Sequence, residues 1–449
     1  MTFRRCILRS CIVVGLVAAI GVNRLAARGT PRPDSLATGG GISLSDCIRL
    51  ALERNPRVRI SEHDFRAAEL SQQEFQKSRL PAFSLSAGAS YAPHNDRAGF
   101  DPVSTNGGEV SGLLEVEQQL YDAGVKNLKL DQLQTDLDRT KLQRTIAARD
   151  LRYDVELAVI EVLRTHDVLA LRTETLSRLG EYQRLAEQLG HAGQVGATDL
   201  LRARVELSNA RIEKNRAQTT ADGAAIDLEG LIFFKRTAPE SMIPVSGDLD
   251  HLLDSSNLSF SGITDSLPSL DVSLAQNSVT RNLFDLDITR RERMPTISFQ
   301  GAAGFLSSMD NLQLPADERV FPFGFVAGVS LTMPLFSWGA SDIRIQEREI
   351  AIQSQREQVT LARNAYRTQV EKTVTELHGA RQRVSAIDSS LQSADEAYRL
   401  TLAKYAGGGA LSLELLSALQ LVSDTRLNRL EEIADVQRSY ARLEQLRTH

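Results

Sequence analysis

The stretch FGFVAGVSLTM, residues 323–333, decides the fold class of this 449-residue chain. Large apolar side chains alternate in it with small or polar ones, which is the period of two of a β-strand with two unlike faces. Weaker alternation of the same kind predicts strands at about 82–92, 109–118 and 296–306, beside one at about 322–333. An outer-membrane strand needs roughly ten residues with one apolar face, but a soluble β-sandwich shows the same alternation.

Four strands are too few to close a barrel alone, because even the smallest barrels have about eight. In lipid an open sheet edge would leave unpaired backbone groups, each at a cost of several kcal/mol. We therefore expect copies of the chain to complete the wall, and a water-filled lumen favours three copies over two. The polar connections at 93–108 and 307–320 suit an extracellular rim.

Long helices account for most of the remaining chain. Between Trp338 and Tyr405 there is no proline, and apolar residues recur in heptad steps from Ile345 to Tyr398. One heptad alone could be an ordinary core stripe, but a seam of this length predicts a left-handed coiled coil. The predicted helices cover about 45–79, 122–189, 198–234, 271–292, 339–405 and 412–446.

The two halves of the chain repeat one another. The matched pairs, at offsets of 214 to 215 residues, are Pro81 with Pro295, Gly124 with Gly339, and Asp199 with Glu414. Because three elements recur in the same order at one offset, we interpret the chain as a duplication. A period of this length is too long for a solenoid and predicts two homologous halves of one body.

The N-terminus predicts export. Arg4, Arg5 and Arg9 precede an apolar run from Cys11 to Val22, which is the layout of a secretory signal peptide, placed here at 1–28. After it no apolar run approaches the roughly 18 residues of a spanning helix, so a mature chain would enter a membrane only as strands. The net charge of -5 provides no overall attraction to nucleic acid.

The sequence lacks the motifs of catalytic and metal sites. Its seven histidines show neither an HExxH motif nor ligand spacing. The glycine runs lack the Lys-Ser/Thr of a phosphate loop, and no G-x-S-x-G elbow occurs. We therefore expect no enzyme activity, no metal and no cofactor.

An ordered set of short elements resembles a known family. The segment SDCIRLALERNP at 45–56, Leu80-Pro81 opening a strand, and a Leu-aromatic-x-x-Gly element at 120–124 and again at 335–339 are similar to the TolC-type outer-membrane efflux proteins. The resemblance covers nearly the whole chain after the signal peptide. It implies the exit duct of a tripartite efflux or type I secretion system, in the outer membrane of a Gram-negative bacterium. The implied partners are outer-membrane lipid, a periplasmic adaptor and an inner-membrane RND or ABC transporter.

The fold that follows is mainly α with a β-barrel part. A long coiled-coil helical barrel continues from four transmembrane strands per chain, which close as a 12-stranded barrel in a homotrimer. The first repeat would take 29–235, a mixed equatorial region 236–270 and the second repeat 271–449. The alternative is a soluble or surface-attached periplasmic coiled-coil interaction protein with a β-sandwich.

The resemblance also implies a gate at the periplasmic tip, built in the family from a Thr-Asp pair, a tyrosine, an arginine and pore acids. The matching residues here are Thr198 and Asp199 for the pair, Tyr405 for the tyrosine and Glu414 for the first acid. Ala410 stands where the arginine would be, and Ser417 where a second acid would be. We therefore expect a closed state held more by Tyr405 and packing than by ion pairs. Asp199 and Glu414 would in any case favour the N-termini of their helices.

The turns at the same tip would meet the adaptor, because that end projects away from the membrane. The expected docking residues are Ala192, Gly193, Gln194, Gly407, Gly408 and Gly409. Thr198 and Ser412 are the expected N-caps of the helices that follow these turns.

Overall fold

The computed structural model describes residues 42–91, 108–192, 196–234, 244–252, 269–308 and 323–447. These residues belong to one compact unit, 41–449. The expected signal peptide, nearly all of the two expected rim connections, and Gly193 and Gln194 lie outside the described residues.

The described chain is mainly helical with one small sheet. Its elements are α1 (Leu44–Arg54), α2 (Pro56–Lys77), β1 (Ala82–Tyr91), β2 (Gly108–Tyr121), α3 (Val125–His191), α4 (Ala197–Ile232), α5 (Leu270–Arg291), β3 (Thr296–Ser308), β4 (Phe323–Thr332), α6 (Ala340–Ala406) and α7 (Ser412–Arg447). No helix in these ranges combines the length and the apolarity needed to cross a membrane.

The prediction of one helix over 45–79 is wrong, because α1 and α2 are separate helices that meet at Asn55. This residue is extended, with φ -68° and ψ 127°, since a residue before proline is disfavoured in the α region. Its side chain accepts a hydrogen bond from the Arg57 amide at 2.9 Å and donates one to the Leu231 carbonyl at 3.0 Å. Asn55 therefore caps α2 and ties the break to the end of α4.

The four strands form one antiparallel sheet in the order β1-β2-β3-β4, so the two expected hairpins are joined through β2 and β3. The register places Leu85 opposite Leu114, and Phe299 opposite Val329, on one face. That face is apolar on every strand and open to the surroundings, with Phe325 84% exposed. Within the described strands, β1 and β4 each pair on one side only.

The opposite face of the sheet is small and polar. Ser84 pairs with Glu115, which pairs with Ala302, so these side chains share a face. Glu117 and Gln300 continue this face toward the helices. The sheet therefore separates an apolar surface from a polar, partly acidic one.

Each strand-to-helix junction is a turn with two consecutive left-handed residues, which explains the Leu-aromatic-x-x-Gly element. Ala123 and Gly124 have φ of 54° and 79°, and Trp338 and Gly339 have φ of 53° and 80°. In the first junction the Asp122 carboxylate accepts hydrogen bonds from the amides of Gly124 and Lys126, at 3.0 and 2.8 Å. Glycine meets the second left-handed position without a Cβ penalty.

The helices pack α3 on α4, α6 on α7, and α3 on α7. One buried cluster, near the middle of α3, joins α1, α3, α4 and α7. Of the expected equatorial region 236–270, the structure describes only 244–252 and 269–270. There Val245 bridges to Ile42, and Asp250 lies 3.4 Å from the Arg429 guanidinium of α7.

Candidate functional site

The candidate site is the helical tip, meaning the turns from α3 to α4 and from α6 to α7 with the helix ends beside them. Helices α3 and α6 each have 67 residues and each starts directly after a strand. At about 1.5 Å per residue, each helix carries its far end ~100 Å from its strand. The tip is therefore the part of these helices most distant from the sheet.

The α6–α7 turn is a Schellman motif. The Gly409 amide donates to the Lys404 carbonyl at 2.8 Å, and the Gly408 amide to the Tyr405 carbonyl at 3.0 Å. Gly408 has φ +74°, a conformation that residues with a Cβ rarely adopt. Gly407, with φ -89°, has ordinary backbone geometry.

The expected N-caps are wrong. Helix α4 begins at Ala197 with Gly196 as N-cap and no side-chain capping bond, so Thr198 already lies inside the helix. Ser412 is the first residue of α7, and the Leu411 carbonyl accepts from the Glu414 amide at 3.0 Å. The Ser412 hydroxyl is turned inward and bonds another side chain.

A buried cluster fills the tip between α3, α4, α6 and α7. Its buried members are Leu179, Tyr182, Ala186, Ala203, Tyr405, Leu415 and Leu419. The rings of Tyr182 and Tyr405 lie 5.7 Å apart between centroids, inclined by 50°. Residues from both halves of the chain therefore share one core at the tip.

The structure buries one of the four expected gate residues. Tyr405 is 3% exposed, whereas Thr198 and Glu414 are exposed. Asp199 is partly exposed and lies 3.9 Å from Arg202 in the next turn of α4. Burial raises the pKa of Tyr405 to about 12, and the nearby Tyr182 and Asp199 act in the same direction. Tyr405 and Asp199 are thus brought close, while Thr198 and Glu414 face outward.

The Tyr405 ring packs, but its hydroxyl has no hydrogen-bond partner among the described residues. Ala410, at the position of the family's arginine, packs against the apolar cluster. Among the expected docking residues, Ala192 is the exposed C-cap of α3, and Gly407, Gly408 and Gly409 are exposed in the turn.

Sequence reasoning missed two residues at the tip, Tyr182 and Ser412. Their hydroxyls share a buried hydrogen bond that spans 230 residues of sequence. The heptad spacing of Leu179, Tyr182 and Ala186 could have placed the tyrosine in the seam. No local pattern indicated Ser412 as its partner.

Arginines of α7 also bind acids on both neighbouring long helices. Arg426 lies 3.0 Å from Glu174 of α3 and 3.1 Å from Asp395 of α6. Arg429 donates to Asp388 of α6 at 2.7 Å. Exposed ion pairs contribute about 0.2–1 kcal/mol each, so these half-buried pairs set the register of α7 more than its stability.

Comparison with known proteins gives the family and the fold. A family model described as outer membrane efflux protein matches residues 47–232 and 267–447. No curated protein matches the sequence.

Three solved structures are similar to this chain across nearly its whole length. VceC from Vibrio cholerae has 15% identity and a TM-score of 0.74, covering 90% of this chain and 95% of that chain. The Campylobacter jejuni CmeC outer membrane channel has 16% identity and a TM-score of 0.72, covering 93% and 90%. The Neisseria gonorrhoeae MtrE outer membrane channel has 18% identity and a TM-score of 0.75, covering 90% and 88%. With the family model matched over both halves, this chain belongs to the outer membrane efflux protein family.

Proposed function

We propose that this chain is the outer-membrane exit duct of a tripartite efflux or type I secretion system. The observation that carries the proposal is the sheet, which is apolar on one face of all four strands and continues directly into the long helices. A sheet in a soluble sandwich would bury that face, whereas Phe325 is 84% exposed. An apolar band facing outward and a polar face inward is the arrangement of a barrel in lipid.

Three copies would complete the wall. Strands β1 and β4 each have an unpaired edge in the described structure, and backbone groups at such edges need partners in lipid. Three copies would supply twelve strands, with the polar face bearing Glu115 and Glu117 turned into the lumen. The helices would continue as a tunnel in the periplasm.

The proposed division is a signal peptide at 1–28, repeats at 29–235 and 271–449, and an equatorial region at 236–270. The matched lengths of the helices support the duplication, since α3 and α6 each have 67 residues and α4 and α7 each have 36. We propose no catalytic role.

The tip would be the gate and the adaptor site. Tyr405 and Asp199 lie close together there, and Thr198 and Glu414 are exposed where a neighbouring copy could meet them. The turns carrying Ala192 and Gly407 project farthest from the sheet. An adaptor would therefore contact them first, and through it an inner-membrane RND or ABC transporter.

Fractionation and conductance test the duct. The protein should appear in the outer-membrane fraction, migrate on gels as a trimer before boiling and a monomer after it, and form channels in planar bilayers. Recovery of a monomer wholly in the soluble periplasm would instead support the coiled-coil interaction protein.

Crosslinking tests the adaptor site. Cysteines introduced by Ala192→Cys and Gly407→Cys should crosslink to a co-expressed adaptor. Gln353→Cys, exposed on α6 near the sheet, is the matched control and should give no product. Equal capture from Gln353→Cys would contradict docking at the tip.

A further inference from the structure

Three side-chain hydroxyls meet in the buried cluster of the tip, and only two of them are paired. Tyr182 and Ser412 are 4% and 5% exposed and share a hydrogen bond. The Tyr405 hydroxyl, beside the Tyr182 ring, is sealed from solvent and has no partner in the described residues. These states have opposite energetic signs, because a buried paired hydroxyl holds its surroundings and a buried unpaired one is destabilising.

The paired hydroxyls connect the two halves of the chain. Tyr182 lies near the end of α3, and Ser412 is the first residue of α7. Their bond is the hydroxyl contact between these helices nearest the tip. The next one, between Thr175 and Ser423, is 3.5 Å long and therefore weak.

We propose that the Tyr182–Ser412 hydrogen bond is a latch that holds the start of α7 against α3, and that the unpartnered Tyr405 hydroxyl favours release of α7. Moving α7 away from α3 breaks the latch and admits water to the Tyr405 hydroxyl. The tip is thereby kept near balance between the latched and the released arrangement. This inference rests on the proposed function, since release of the latch would widen the gate.

The two parts of the inference predict opposite effects for similar substitutions. Tyr182→Phe and Ser412→Ala each remove one partner and leave the other buried and unpaired, which favours release. Tyr405→Phe keeps the packed ring and removes the unpaired hydroxyl, which favours the latched arrangement. A tyrosine acting only through packing would give no change on substitution by phenylalanine.

Hydrogen–deuterium exchange measures release without requiring conduction. In the full-length protein in detergent, amides of 412–420 should exchange ~10-fold faster in Tyr182→Phe and in Ser412→Ala, which corresponds to about 1.4 kcal/mol. The double variant should lose less than the sum of the two, because neither hydroxyl remains unpaired. Tyr405→Phe should exchange more slowly than the wild type. Ser423→Ala, buried on the same helix, is the matched control and should match the wild type.

Single-channel conductance in planar bilayers measures the gate. The resting open probability should rise in the two latch variants and fall in Tyr405→Phe. Faster exchange in Tyr405→Phe, or unchanged exchange in Ser412→Ala, would overturn the inference, and so would faster exchange without altered conductance. A wild type that forms no channel would contradict the proposed function, while the exchange experiment would still decide the latch.

Discussion

Gly408 provides a quantitative test of the α6–α7 turn, where the structure separates backbone strain from steric clash. It has φ +74°, and a Cβ added there would meet no atom within 4 Å. Gly408→Ala therefore costs only the left-handed conformation, about 1–2 kcal/mol for a residue with a Cβ. Opening of the turn should become ~5–30-fold more frequent by the same energy.

Gly407→Ala is the matched control one residue earlier. Its φ of -89° suits any residue, and an added Cβ would lie 3.7 Å from the carbonyl oxygens of Ala403 and Lys404, an ordinary contact. This variant should be neutral or slightly stabilising, because alanine reduces the freedom of the unfolded turn.

The assay is hydrogen–deuterium exchange of a peptide covering 404–411, with the trimer content of each sample checked on unboiled gels. Gly408→Ala should accelerate exchange of this peptide and leave peptides from β1 unchanged. Equal acceleration in Gly407→Ala, or none in Gly408→Ala, would refute the assignment of the left-handed residue. Crosslinking of Gly408→Ala to an adaptor through Ala192→Cys should also weaken, because the neighbouring turn would lose its shape.

Three further predictions concern the sheet, the gate and the helical body. Leu85→Arg places a charge on the apolar face, at a cost of roughly 2–4 kcal/mol near the bilayer centre, so outer-membrane trimer should fall, whereas Ser84→Arg on the polar face should not lower it. Ala410→Arg restores the family's arginine and should lower resting conductance; an unchanged value would count against a gate weakened by its absence. Glu156 is 2% exposed, and burial raises its pKa to about 6 from 4.5, despite the opposing Arg152. The folded state therefore binds more protons than the unfolded one across this window, and stability should fall as pH rises from about 4.5 to 6. Glu156→Gln should flatten that fall in thermal unfolding curves; an unchanged pH profile would show that the carboxyl ionises freely.

Local periodicity explains how well the helices and strands were predicted. A strand such as 323–332 shows its two faces within ten residues, and α6 repeats its seam over 67 residues. Each observed strand and helix end lies within three residues of a predicted one, apart from the first predicted helix. There the heptad-like spacing continued across Asn55-Pro56, and the steric effect of proline on the preceding residue decided the break.

The tip could be predicted only in part. Comparison with the family pattern located Tyr405 and the turn glycines, because both turns follow the ends of long, recognisable helices. It did not show that the Tyr405 hydroxyl is buried without a partner, since this depends on how the rings of α3 and α6 pack. The N-cap assignments of Thr198 and Ser412 were wrong because cap preference is weak and the packing of each turn overrides it.

The amino-acid sequence by itself determined which segments are strands and helices, that the strands have one apolar face, and that lipid would require further copies of the chain. These properties follow from side-chain spacing along short stretches of backbone. The tertiary structure alone decided that the four strands form one sheet, and that Tyr182 meets Ser412. Contacts between residues so far apart depend on strand register and on how long helices cross, which no local pattern encodes.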